Sequence, residues 1–272
     1  MRTVFLTELE KEYSELVQTG KVQILEDVEK LTSKRFSYHN PIYYSGNLSS
    51  KLAIVKFCSN SIGLSKVDCN ENFSEYQHKQ QNLGKLFIKA ESIDDLSDKY
   101  ANDIRTMNYS KPFQVVRLNG CTVKENLQKF IDEKFEIGLI PYLSHDFSAK
   151  DFIQNYSVCK TLVDRTLSGV FSYPRQYVIF MGECFNCILK EYIIDSERFS
   201  FLLTSNMMPN QKFVASFNRI TLNYNNTKII AGVAESFYDE NLDEIMLEKY
   251  GRESAAIINR GFLLTNPLWK TH

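Results

Sequence analysis

Glycine and proline are scarce in this chain, at 11 and 6 of 272 residues. So few glycines leave no loop to cradle a nucleotide phosphate, and no Gly-rich phosphate pattern occurs. A GxSxG elbow and a helical HExxH are missing as well, which removes the commonest serine-hydrolase and zinc-protease signatures. Charge of either sign is not in excess: 32 basic residues stand against 33 acidic ones, for a net charge of −1. Proteins that bind nucleic acid without specificity carry a basic surplus, so any such surface here has to be a local patch. No uncharged apolar run reaches the length of a membrane span. The opening MRTVFLTELEKEY turns acidic and helical without a signal-peptide apolar core, and a cytoplasmic protein is expected. The six cysteines (58, 69, 121, 159, 184 and 187) are scattered and read as free thiols in a reducing compartment.

What is present is an ordinary globular composition, 43% hydrophobic and 24% charged, with length enough for one large α/β domain. Residues 1–35 read as an N-terminal helical arm, with Leu9, Tyr13 and Leu16 at helical spacing and Gly20 as an interruption. Four short apolar runs, 52–57, 135–140, 177–181 and 228–233, have the near-continuous character of strands buried on both faces. Helical patterns stand between most of them, among them 122–134 with Val123, Leu127, Phe130 and Ile131 on one face. The polar stretch 70–110 reads as a loop-and-helix insertion, PFQVVRLNG (112–120) as a short strand, and 199–205 and 212–224 as edge or hairpin strands. The pattern predicts a single domain over 1–272: a three-layer α/β sandwich with a mainly parallel four-stranded central sheet and helices on both faces.

In an open parallel sheet, ligands bind in the crevice beyond the carboxyl ends of the strands. Each apolar run here ends in small or polar residues: Ser59 and Asn60, then Ser144, His145 and Asp146, then Gly182 and Glu183, then Glu235 and Ser236. Such ends converge on one rim and supply amide, imidazole and carboxylate groups for acid–base work. The bland reading is that every α/β fold carries polar loops there. His145 alone among the four histidines follows a core strand. Tyr142, just after Pro141, either stacks on a planar ligand or closes the strand end. Cys184-x-x-Cys187 is half a zinc site with no second half at matching spacing, and small core residues on a helix face are the simpler reading. No metal and no cofactor are expected.

The stretches NPIYYSGNLSSKLAIVKF (40–57), FEIGLIPYLSHDF (135–147), YVIFMGECF (177–185) and KIIAGVAESF (228–237) together resemble the uracil-DNA glycosylase-like superfamily. The resemblance implies a four-stranded parallel sheet between helices, with the active site at the carboxyl ends of the strands. The step Pro141-Tyr142-Leu143-Ser144 is similar to one in divergent members. In that family the loop after the first strand carries an Asp or Asn beside a proline. Here Asn60 is followed by Ser61. The loop after the last strand usually carries His-Pro-Ser, and here it reads Ala234-Glu235-Ser236-Phe237.

The resemblance implies hydrolysis or binding of a nucleobase in DNA. Asn60 would orient water, Glu235 would stabilise a sugar cation or act as base, and His145 would donate to the leaving base. Tyr142, Ser144, Asp146 and Ser236 would hold the substrate. Because both departures fall on the chemical motifs, the alternative is a catalytically degenerate protein of the same fold, serving as a binding module with a protein partner. A small-molecule hydrolase using the same rim is a third reading.

Overall fold

The computed structural model describes residues 3–38, 41–58, 72–83, 100–142, 144, 146–205, 212–235 and 242–265. Two helices open the chain. Helix α1 (Val4–Thr19) starts where the Thr3 hydroxyl accepts the Leu6 N–H, and ends at Gly20 in the left-handed conformation. It buries Phe5, Leu9, Tyr13 and Leu16, the stripe that a 3.6-residue period predicts. Helix α2 (Gln23–Thr32) follows, and then α3 (Phe73–Gln81) and α4 (Ala101–Ser110). Helix α5 (Val123–Glu133) is opened by a capping box in which Thr122 and Glu125 each accept the other's backbone N–H. Leu127, Phe130 and Ile131 are buried as expected, but Val123 points into solvent at the first turn. Beyond these lie α6 (Ala149–Gln154), α7 (Tyr156–Phe171), the short α8 (Phe185–Ile188) and α9 (Glu244–Thr265).

The expected four-stranded, mainly parallel sheet is overturned, because the sheet has seven strands and is mixed. Its middle consists of β2 (Leu52–Cys58), β3 (Phe135–Ile140), β4 (Tyr177–Met181) and β7 (Thr227–Ala234), the four apolar runs. Strand β2 pairs in parallel with both β3 and β4, and β4 pairs in parallel with β7. Three antiparallel strands extend this core: β1 (Tyr44–Gly46) on the β3 edge, and β6 (Lys212–Tyr224) and β5 (Ile193–Thr204) beyond β7. The order is β1-β3-β2-β4-β7-β6-β5.

The physical reason lies in the turn at Asn225 and Asn226. Both adopt positive φ, which suits a two-residue hairpin, so β6 folds straight back into β7 and pairs with it over its length. The strand expected over 112–120 does not form. A 3-10 turn (Lys111–Phe113) with Pro112 in its first turn leads instead to Gln114 at positive φ. Of the insertion expected over 70–110, residues 70, 71 and 84–99 lie outside the described residues.

Helices cover both faces. Ala53, Val55, Ile137, Val178 and Phe180 pack into one core with α1, α2 and α7, and Leu52, Ile54 and Ile179 into the other with α4, α5 and α9. Close approach at the β1 edge requires Gly46: its φ is +77°, and a Cβ there would lie 1.9 Å from the Lys134 carbonyl oxygen. Gly46→Ala is therefore expected to cost about 1–3 kcal/mol, seen as a lower urea midpoint at unchanged slope.

The second core contains charge. Lys56 and Lys134, each with a side chain at most 3% exposed, lie against Glu136 and Asp103. Lys56 Nζ is 3.1 Å from Glu136 and 3.7 Å from Asp103. Lys134 Nζ is 3.5 Å from Asp103 and bonds Glu136 directly. Burial alone would raise the Glu136 carboxyl, but the two ammonium groups overcome it and hold the acid at about 2.

Candidate functional site

Strands β4 and β7 end side by side, with Met181 opposite Ala234 and the Gly182 N–H donating to the Ala234 carbonyl at 2.8 Å. Gly182 then turns through a positive φ of 116°, and Glu183 follows it. Glu235 is the first residue beyond β7. On the other side of β7, strand β6 brings Ser216 level with this end, one position before the Phe217–Ala234 pair.

The result is a carboxylate pair around a hydroxyl. Ser216 Oγ lies 2.8 Å from Glu183 Oε1 and 2.6 Å from Glu235 Oε1. One hydroxyl has one proton, so it donates to only one carboxylate at a time. The Arg198 guanidinium, on β5, donates to Glu183 at 3.0 Å. No ion pair among the described residues reaches Glu235. The two acids are thus inequivalent: Glu183 has a counter-charge, and Glu235 has only the hydroxyl. Ser216 is 6% exposed, whereas the Glu183 side chain is 51% exposed, so the pair opens to solvent from a buried base.

Tyr250, on α9, fixes the spacing. Its hydroxyl accepts the Glu235 N–H at 2.9 Å and donates to the Ser216 carbonyl, tying the two chain segments together. Burial drives this phenol far above its ordinary range, so it stays a neutral donor. Tyr250→Phe keeps the ring and removes only this tie. It is expected to shift the pH profile of any activity at the rim while the circular dichroism spectrum stays unchanged. Next along β6, the Asn218 amide donates to Asn186 at 2.8 Å, closing the α8 side of the cluster.

Of the residues expected from the sequence, Glu235 belongs to this cluster. Asn60, His145 and Ser236 lie outside the described residues. Tyr142 is 1% exposed, with its ring against Tyr38 and Tyr43 and its hydroxyl bonded to Tyr43 at 2.8 Å and to Glu12 at 3.0 Å. It presents no free face for stacking. Ser144 donates to the Arg35 carbonyl at 2.8 Å and accepts the Phe147 N–H, and Asp146 is exposed. Glu183 is one of the strand-end groups that the sequence places on the rim, without a role of its own, whereas Ser216, Arg198 and Tyr250 are not legible there. Glu183 had a signal, since it stands just past an apolar strand as Glu235 does.

Burial pushes the Cys58 thiol up to about 12, with Cys184 nearby adding to it, and burial raises Cys184 as well. Cys184 is half-buried against the first core and Cys187 is exposed, so only the first of the pair packs as the core residue expected. Among the described residues no group of three or more His, Cys, Asp or Glu side chains is placed to hold a metal ion. None of their helices is long and apolar enough to cross a membrane.

No protein-family model, no curated protein and no solved structure matches this chain.

Proposed function

We propose that the chain is an N-glycosidic hydrolase of the uracil-DNA glycosylase-like type, acting on a nucleobase in DNA at the carboxyl-end rim of its parallel strands. The observation that carries the reading is the Glu183–Ser216–Glu235 cluster at the ends of β4 and β7. Two carboxylates, each within a hydrogen bond of one hydroxyl, supply the base and the anionic charge that cleavage of a glycosidic bond through a cationic sugar uses. Glu183, paired on one side with Arg198, faces the developing cation. Glu235 takes the proton of the attacking water. The water oxygen then bonds to C1′ as the C1′–N bond breaks, and the base departs with the bonding pair and takes up a proton. Asn60 and His145 are the proposed water-orienting and base-protonating partners from the neighbouring strand ends. The described cysteines carry no disulfide, which suits the proposed cytoplasmic location.

A second reading, a degenerate protein of the same architecture acting as an interaction module, is favoured by one feature. Leu202 and Val214 face each other across β5 and β6 and are 51% and 63% exposed. Such an apolar pair beside the rim suits a protein partner.

Alkali-induced strand cleavage separates the two. Oligonucleotides carrying uracil, hypoxanthine or hydroxymethyluracil are incubated with wild-type protein and with Asn60→Ala and Glu235→Gln. Cleavage by the wild type alone supports the hydrolase. Silence on every substrate, single- or double-stranded, together with no salt-sensitive DNA binding, favours the module.

A further inference from the structure

Strands β4 and β7 are partners only towards their carboxyl ends. Their pairing begins at Ile179 and Gly232, although β7 starts earlier, at Thr227. The chain entering β4 is drawn the other way. Gln176 and Tyr177 both donate their N–H to the Lys51 carbonyl at 2.9 Å, just before β2, and Pro174 has no N–H to give. The amino-terminal half of β7 is left with β6 on one side and, among the described residues, no strand on the other. A cavity of about 580 Å³ occupies that gap, at the opposite end of the sheet from the carboxylate pair. Its volume lies within the range of small-molecule sites.

Backbone, charge and hydrocarbon meet there. The Ala234 carbonyl points towards β4, where it accepts the Gly182 N–H. Strand groups alternate in direction, so Ile230 and Lys228 also turn their N–H and C=O towards the gap. Arg175 lines the cavity and is 8% exposed. Its guanidinium donates to three carbonyls, Val170 at 3.1 Å, Ser50 at 2.5 Å and Gly169 at 3.3 Å, and to no carboxylate among the described residues. Burial lowers it to about 10, as expected of a cation without a counter-charge. Lys228 is exposed, lines the cavity too and has no ion-pair partner among the described residues. No acidic side chain is among the described lining residues, and Phe171, Tyr173, Pro174 and Ile230 make an apolar wall.

We propose that this gap binds the carboxyl-terminal end of a peptide with apolar side chains, laid along β7 as a short added strand. The backbone of Lys228 and Ile230 bonds the peptide's amides, and the wall takes its last side chain. Lys228 and Arg175 offset the free carboxylate, which no lining acid repels. The stretch from Lys228 to Ile230 is about 7 Å long, the span of two residues in a strand.

The test is isothermal titration of the full chain with N-acetyl-leucyl-phenylalanine carrying a free carboxylate. The comparators are its carboxyl-terminal amide, the analogue methylated at the phenylalanine nitrogen, and N-acetyl-seryl-glycine. One-to-one saturable binding is expected, weaker by about fivefold or more for the amide and for the methylated analogue, and absent for the polar peptide. Lys228→Met is expected to weaken binding of the acid and to leave that of the amide unchanged. Thr221→Tyr, which puts a ring into the cavity, is expected to abolish binding while the thermal midpoint is retained. Wild-type protein that shows no saturable binding up to about 5 mM peptide overturns the proposal. So does an amide bound as tightly as the acid, or a methylated analogue bound as tightly as its parent.

Discussion

Glu235→Gln is expected to lower turnover at the rim by about 10²–10⁴-fold, with kcat and kcat/KM falling together. The amide keeps the shape of the side chain and still accepts a hydrogen bond from Ser216, so the strand end stays in place. What it cannot do is take a proton. Glu183→Gln removes a charge rather than a base and leaves Arg198 without its partner. Its effect on kcat is expected to be smaller and to come with a weaker dependence on salt. Steady-state kinetics on the best substrate found in the cleavage assay distinguishes the two. Equal losses in both variants would contradict the division of roles between the acids.

Glu136→Ala is expected to cost about 3–5 kcal/mol of stability, because Lys56 and Lys134 would be left buried with Asp103 alone. Replacing Lys56, Lys134, Glu136 and Asp103 together by apolar residues of similar volume is expected to be far milder, since no uncompensated charge remains. The pH dependence follows from the depressed carboxyl. The unfolded chain protonates Glu136 near the ordinary 4.5 and the folded protein only near 2. The stabilisation is therefore complete above about pH 5 and is lost as the pH falls towards 2. Urea unfolding across that window is expected to show a wild-type slope that the Glu136→Ala protein lacks. A variant within about 1 kcal/mol of wild type at pH 7 would contradict the buried ion network.

Much of the sheet's middle was legible because burial on both faces leaves a mark in one dimension. LAIVKF, FEIGLI, YVIFM and KIIAGV each occupy a strand. The sheet's extent was not legible. Strand β1 is three residues long, too short for any period, and it joins the sheet through β3, far away in sequence. The alternation over 212–224 announced a strand, but where β6 pairs is decided by the Asn225–Asn226 turn and by Ala234 meeting Phe217. Missing that pairing meant missing Ser216, because a serine in an alternating strand has no chemical signature until its neighbours are known. Glu235 was readable from its position after an apolar run. Tyr142 was ambiguous for a physical reason: an aromatic after a strand-ending proline suits both a ligand face and a core plug, and the Tyr43 and Glu12 bonds that fill its hydroxyl come from distant parts of the chain. The ionic quartet was hidden in the same way, since Lys56 interrupts an apolar run with no local hint that Asp103 and Glu136 lie beside it.

The most direct test of the rim is to run the reaction in ¹⁸O-labelled water and analyse both products by mass spectrometry. Hydrolysis at the carboxylate pair is expected to release the free base unlabelled and to leave a single ¹⁸O at C1′ of the abasic sugar. Both products should form about 10²–10⁴-fold more slowly with Glu235→Gln. Intact substrate after prolonged incubation with the wild type, or label incorporated equally by the variant, would contradict the assignment of Glu183, Ser216 and Glu235 as the site of bond cleavage.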